Sequence, residues 1–164
     1  MKILKEIWTY VLIILIVLFI RAFIITPVSV DGDSMYPNLK DNEILLLKKY
    51  DKSFERFDII VFNDGSSKLI KRIIGLPGEY VEYKHNKLYI NDEEIDDIML
   101  LTKTGDFRLE DLGVSVIPED MYFVLGDNRT DSKDSRIIGL ISKQDIQGTV
   151  SFRIFPFDRF GNIK

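Results

Sequence analysis

Between Ile7 and Ile20 the chain carries no charged residue and is mostly Ile, Leu and Val. Arg21 interrupts, and Ala22-Phe23-Ile24-Ile25 continues the run to Thr26-Pro27. As a helix, Ile7–Ile25 spans roughly 28 Å, close to the thickness of bilayer hydrocarbon. Apolar residues occupy all sides of that helix, which argues against a buried soluble helix with one apolar stripe. The bulky, Pro-containing Ile24-Ile25-Thr26-Pro27-Val28 does not read as a small-x-small cleavage site, which argues against a cleaved secretory signal. The expectation is an uncleaved membrane anchor. Trp8 and Tyr10 suit one interface, Arg21 can snorkel to the other, and Pro27 is expected to stop the helix. Lys2 and Lys5 precede the run and Asp31 and Asp33 follow it. That asymmetry predicts a cell-membrane, single-pass protein with a cytoplasmic N-terminus and an extracytoplasmic body. The domain expectation is residues 1–26 as tip and anchor and residues 27–164 as the extracytoplasmic domain.

The body excludes several classes of chemistry. It has no Cys, so disulfides, thiolate metal sites and cysteine nucleophiles are absent together. Its single His, His85, lies in the polar stretch Tyr83-Lys84-His85-Asn86-Lys87, which reads as a solvated hairpin turn. No metal and no cofactor are expected. The net charge of −4 is unevenly placed, +2 over residues 1–26 and −6 over the remainder, and an acidic body argues against nucleic acid as a partner.

Short apolar segments punctuated by turns predict a mainly β, antiparallel sandwich or barrel-like domain behind the one N-terminal transmembrane α-helix. Candidate strands are 43–48, 57–62, 68–74, 80–83 with 87–90, 121–125 and 149–154, with a turn at 63–67. Residues 92–117 are acidic and weakly periodic and read as a variable insertion of loops and short strands.

Three stretches can carry chemistry. Val30-Asp31-Gly32-Asp33-Ser34-Met35-Tyr36-Pro37-Asn38-Leu39 sets one serine among turn formers, either as part of an ordinary turn or as a presented nucleophile. Alternation over 68–74 puts Leu69, Lys71 and Ile73 on one face and Ile70, Arg72 and Ile74 on the other. A buried Lys71 would lose part of its proton affinity and could serve as a general base; a Lys71 at a sheet rim would only cover apolar surface. Gly126-Asp127-Asn128-Arg129-Thr130-Asp131-Ser132-Lys133-Asp134-Ser135-Arg136 follows an apolar strand. It is either a solvated loop or an ordered network of charge-assisted hydrogen bonds.

Taken in order, the anchor, Ser34-Met35-Tyr36-Pro37-Asn38-Leu39, Asp58-Ile59-Ile60-Val61-Phe62, Lys71-Arg72-Ile73-Ile74-Gly75-Leu76-Pro77-Gly78-Glu79 and the Gly126–Arg136 cluster resemble the bacterial type I signal peptidases in their short Gram-positive form. These are membrane-bound Ser-Lys endopeptidases that remove N-terminal signal peptides from secreted preproteins after small residues. The resemblance implies Ser34 as nucleophile and Lys71 as base, with Ser132 orienting the Lys71 amine. Met35 would exclude water, and Arg72–Asp127 and Asp134–Arg136 would be ion pairs that shape the site. It implies secretory preproteins and membrane lipid as partners. This chain departs from the family pattern at Gly32, where some members carry a second oxyanion-donating Ser, and at Asn38, Glu79 and Phe155. Two other readings are a catalytically silent membrane-anchored β-domain that binds exported proteins, and a repressor-type Ser-Lys autoprotease. The intact Ser34, Lys71 and Ser132 set disfavours the first, and the apolar anchor disfavours the second.

Overall fold

A computed structural model describes residues 2–50, 52–65, 67–97 and 102–163, with the backbone alone at 2–4 and 22–23. Ser66 of the expected 63–67 turn and residues 98–101 of the expected insertion lie outside the described residues.

Helix α1, Lys2–Phe23, is followed after Ile24 by strand β1, Ile25–Ser29. The helix therefore stops before the expected Pro27 stop. Pro27 lies inside β1, at the end of its sheet, where a residue without an N–H is tolerated. The side chains from Lys5 to Arg21 are exposed on every face of α1. The expected membrane span is not matched here: among the described residues no helix is long and apolar enough to cross a membrane.

The body is two antiparallel sheets. The larger is built from β1, β2 (Ile44–Lys48), β3 (Ile59–Asp64), β4 (Ser67–Gly75), β9 (Met121–Leu125), β10 (Ile141–Ser142), β11 (Ile146–Phe155) and β12 (Gly161–Asn162). Its order is β1-β2-β11-β3-β4-β9-β10, with β12 beside β11. The smaller has the order β7-β6-β5-β8, from β5 (Val81–Lys84), β6 (Lys87–Ile90), β7 (Glu93–Ile95) and β8 (Phe107–Arg108). The β5–β6 hairpin turns at His85 and Asn86, both at positive φ and exposed at His85, as the polar stretch between two strands predicts. The expected insertion supplies β7 and β8, which flank that hairpin.

The apolar residues pack in three clusters, of which the first joins the two sheets. Ile74, Phe123 and Leu125 of the large sheet pack with Val81, Tyr83, Leu88 and Phe107 of the small one. Met35 and Leu39 pack with Leu45, Leu47, Ile59, Val61 and Val150. Ile60, Phe62, Ile73 and Val124 form the third. Strand β4 contributes to all three, because Ile70, Ile73 and Ile74 enter different clusters. That is why it reads as apolar on both faces, and why polar groups on it lie where water is scarce. At Gly148 of β11 an added Cβ would lie 1.9 Å from the Lys48 carbonyl oxygen, so only glycine allows β2 and β11 to approach this closely.

Candidate active site

The nucleophile candidate sits in a compact loop closed on itself. Val30 N–H donates to the Glu43 carbonyl at 2.8 Å, Tyr36 N–H to Asp33 at 3.0 Å, and Leu39 N–H to Met35 at 2.9 Å. Buried Met35 and Leu39 tether the loop to the sheet, and Ser34 is left half-buried between them and solvent. The second tether comes from the cluster that follows β9. Asn128 N–H donates to the Ser34 carbonyl at 3.0 Å, and Asn128 Nδ2 donates to the Asp33 carbonyl at 3.2 Å. A Cβ on Gly126 would lie 2.5 Å from the Ser34 carbonyl oxygen and 2.2 Å from Ser132 Oγ, so residue 126 must be glycine for the two segments to meet.

Lys71 Nζ lies 2.6 Å from Ser34 Oγ and 3.1 Å from the Ile70 carbonyl oxygen. Lys71 is 2% exposed. Of the two sequence readings, burial on β4 is the one observed. Desolvation lowers its pKa from 10.5 to about 8, against the pull of the Asp134 and Asp127 carboxylates, which favour the ammonium. At neutral pH roughly a tenth of the molecules carry the neutral amine, which can accept the hydroxyl proton.

Arg72, on the opposite face of β4, holds Asp127 with Nε and Nη2, both at 2.8 Å, and donates from Nη1 to the Phe57 carbonyl. Asn38 Nδ2 also donates to Asp127, at 2.9 Å, and so ties the serine loop to this pair. Asp134 caps α2 (Ser135–Ile138), accepts from Arg136 Nε and Nη2, and accepts the Gly126 N–H at 3.1 Å. The Gly126–Arg136 cluster is thus an ordered network. Ser132 is brought beside Gly126, but its buried hydroxyl has no hydrogen-bond partner; the bond to the Lys71 amine implied by the resemblance is not among its contacts.

Two features escape a reading of the sequence. Buried Arg129 donates to Asp97 Oδ2 at 2.6 Å, Thr104 Oγ1 at 2.9 Å and the Tyr83 hydroxyl at 3.1 Å, and from Nε to the Gly126 carbonyl. It bolts the small sheet to the cluster, yet Asp97 looks like any other carboxylate in an acidic run. The second is at Gly32, where some family members carry an oxyanion-donating Ser: its N–H donates to Asp41 Oδ1 at 2.9 Å.

A cleft of about 270 Å³ opens beside the pair. Residues 27–31, which continue the edge strand β1, and residues 68–71 of β4 line it together with Ser34, Met35 and Val61. A hydroxyl against a buried, partly neutral amine in an open cleft is the equipment of an acyl-transfer hydrolase.

Residues 3–155 match the family described as signal peptidase, peptidase S26. The chain is 42% identical over 164 residues to signal peptidase I S of Bacillus subtilis (strain 168), covering 92% of this chain and 89% of that protein. It is 40% identical over 164 residues to signal peptidase IB of Staphylococcus aureus, covering 88% and 86% respectively. A crystal structure of a signal peptidase I from Enterococcus faecalis V583 matches with a TM-score of 0.56 at 38% identity, over 59% of this chain and 96% of that one. The chain belongs to the signal peptidase family, peptidase S26, as its motifs imply, and is a peptidase.

Proposed function

We propose that this chain removes N-terminal signal peptides from secreted preproteins by Ser-Lys acyl transfer, cutting after small residues. The observation that carries the reading is the 2.6 Å approach of Lys71 Nζ to Ser34 Oγ, with the lysine buried. Ser34 Oγ attacks the scissile carbonyl as its proton passes to the neutral Lys71 amine. The Ser34 N–H, which donates to no other group among the described residues, stabilises the oxyanion. Collapse breaks the peptide bond, and the Lys71 ammonium returns the proton to the leaving amine, which becomes the mature N-terminus. Lys71 then takes a proton from water as its oxygen attacks the acyl-Ser34 ester, and the Lys71 ammonium returns that proton to Ser34 Oγ as the ester bond breaks and the signal peptide leaves with a new C-terminal carboxylate.

Met35, buried beside Ser34, keeps water from Lys71. Arg72–Asp127 and Asp134–Arg136 hold the cluster against the Ser34 carbonyl. The free edge of β1 along the cleft suits a substrate bound as an added strand, with alternate side chains facing the walls. Helix α1 is the anchor in the cell membrane, with the N-terminus cytoplasmic and residues 27–164 as the extracytoplasmic catalytic part. Its apolar side chains, exposed all round, favour lipid over water as their surroundings. Two partners on one membrane surface meet at a raised effective concentration.

The test is the full chain in liposomes with a purified secretory precursor. Wild-type chain is expected to release a mature protein whose new N-terminus follows a small residue, and Ser34→Ala is expected to release none. Cleavage by Ser34→Ala at the wild-type rate, or precursor binding by wild type without cleavage, sinks the reading.

A pH dependence follows from the lowered Lys71 pKa. The active form is neutral, so kcat/KM is expected to rise about tenfold per pH unit below pH 8 and to level above it. A rate constant flat from pH 5 to pH 9 removes Lys71 as the base.

A further inference from the structure

A second charged assembly grips the serine loop at Pro37 and Asn38. Glu43, just before β2, is 2% exposed. Its Oε2 accepts from Arg153 Nε of β11 at 2.6 Å, and its Oε1 accepts from Arg159 Nη1 of the turn after β11. One carboxylate cannot satisfy two guanidinium groups, and the remaining donors turn to the serine loop. Arg153 Nη2 donates to the Asn38 carbonyl at 2.6 Å. Arg159 Nη2 donates to the same carbonyl at 3.1 Å and to the Pro37 carbonyl at 3.3 Å. Arg153 Nη1 closes the ring on the Arg159 carbonyl at 3.1 Å.

The carbonyls so gripped lie three and four residues beyond Ser34. The Leu39 N–H to Met35 bond makes the intervening segment a single turn. The loop is therefore held from two sides: the cluster fixes the Ser34 carbonyl, and the arginines fix the far end of the turn. We propose that Arg159, seated by Glu43 and Arg153, is a positioning residue that sets the aim of Ser34 Oγ on Lys71. The proposal rests on the reading of Ser34 as the nucleophile. Arg159 touches neither the cleft nor Lys71, so it acts through the loop alone. Planar guanidinium groups suit this task, because their forked donors span adjacent acceptors that an ammonium cannot bridge.

Arg159→Ala keeps the Arg153–Glu43 pair and removes the second guanidinium partner of Glu43, the grip on Pro37 and part of that on Asn38. It is expected to lower the high-pH plateau of kcat about 10- to 100-fold with KM changed less than about twofold, because misaimed reacting atoms lose rate and not binding. The midpoint of the pH profile stays where wild type has it, since Lys71 is untouched. Arg159→Lys is expected to fall between the two. Arg108→Ala, which removes a charge from an exposed pair with Glu82 on the small sheet, is the control and keeps wild-type kcat. Folding is followed by circular dichroism at the assay temperature. If Arg159→Ala does not fold, Arg159→Lys carries the same comparison. An unchanged plateau, a loss confined to KM, a moved midpoint, or a loss equal to the unfolded fraction overturns the proposal. Activity surviving in Ser34→Ala overturns the reading beneath it instead, so the two failures are distinct.

Discussion

Lys71→Met is expected to lower kcat/KM on a secretory precursor by at least about 10³-fold while making the folded protein more stable. The first effect follows from removing the group 2.6 Å from Ser34 Oγ that is proposed to take its proton; a positioned base contributes about 10²- to 10⁴-fold, and in the proposed mechanism the same group also protonates the leaving amine. The second follows from the sign of the pKa shift. The folded-state pKa lies below the unfolded value, so at neutral pH folding carries a buried ammonium at a cost. A drop from 10.5 to about 8 corresponds to about 3 kcal/mol, a cost that fades as pH rises from 8 to 10.5. Methionine fills similar volume without the charge. Its melting temperature at pH 7 is expected to exceed that of wild type, with the difference shrinking by pH 10. A lysine kept for structure gives the opposite pair of results: near-normal rate and lower stability. Retention of more than a tenth of wild-type kcat/KM rules out Lys71 as the base.

Asp127→Ala is expected to cost about 3–5 kcal/mol, a large part of the stability of an ordinary domain. The carboxylate is fully buried and takes three hydrogen bonds, two from Arg72 and one from Asn38. Removing it strands the Arg72 guanidinium, 3% exposed, with the Phe57 carbonyl as its remaining partner among the described residues. The double variant Arg72→Leu/Asp127→Leu removes both charges and is expected to recover most of the stability. It is not expected to recover activity, because the Asn38 link to the serine loop is gone and the cluster loses its register on Ser34. Urea unfolding of both variants separates the two effects. A single variant as stable as wild type, or a double variant less stable than the single, contradicts this account of the pair.

The parts of this site that can be read from the chain are those whose signal is local. The His85-Asn86 turn announces its hairpin, and the apolar run around Lys71 announces a strand buried on both faces. The serine among turn formers and the mixed charges after β9 are visible for the same reason, and family motifs joined them before any distance was known. What stays hidden depends on partners far away in the chain. Glu43 looks like a polar strand end until Arg153 and Arg159 close on it. Asp97 is one carboxylate among several until Arg129 selects it. Strand β1 is invisible because its residues continue the apolar run of α1 and include Pro27; only pairing with β2 makes it a strand. The Gly32 amide is a similar case, spoken for by Asp41 through a contact that no spacing rule predicts.

The junction between α1 and β1 is one residue long and firmly tied. Ile24 N–H donates to Ile20, Lys49 N–H donates to Ile24, and Thr26 Oγ1 donates to the Arg21 carbonyl. No slack separates the helix from the strand that forms one wall of the cleft. If α1 sits in the bilayer, as proposed above, the protein would behave as a blade on a fixed post. From the membrane exit, β1 rises at most about 3.3 Å per residue before the chain turns toward Ser34. On that reading the cutting height would be a built-in constant, and a precursor would be measured as well as recognised. The bond that meets Ser34 would then be selected by its distance from the end of the precursor's own apolar segment, before any side chain in the cleft is consulted.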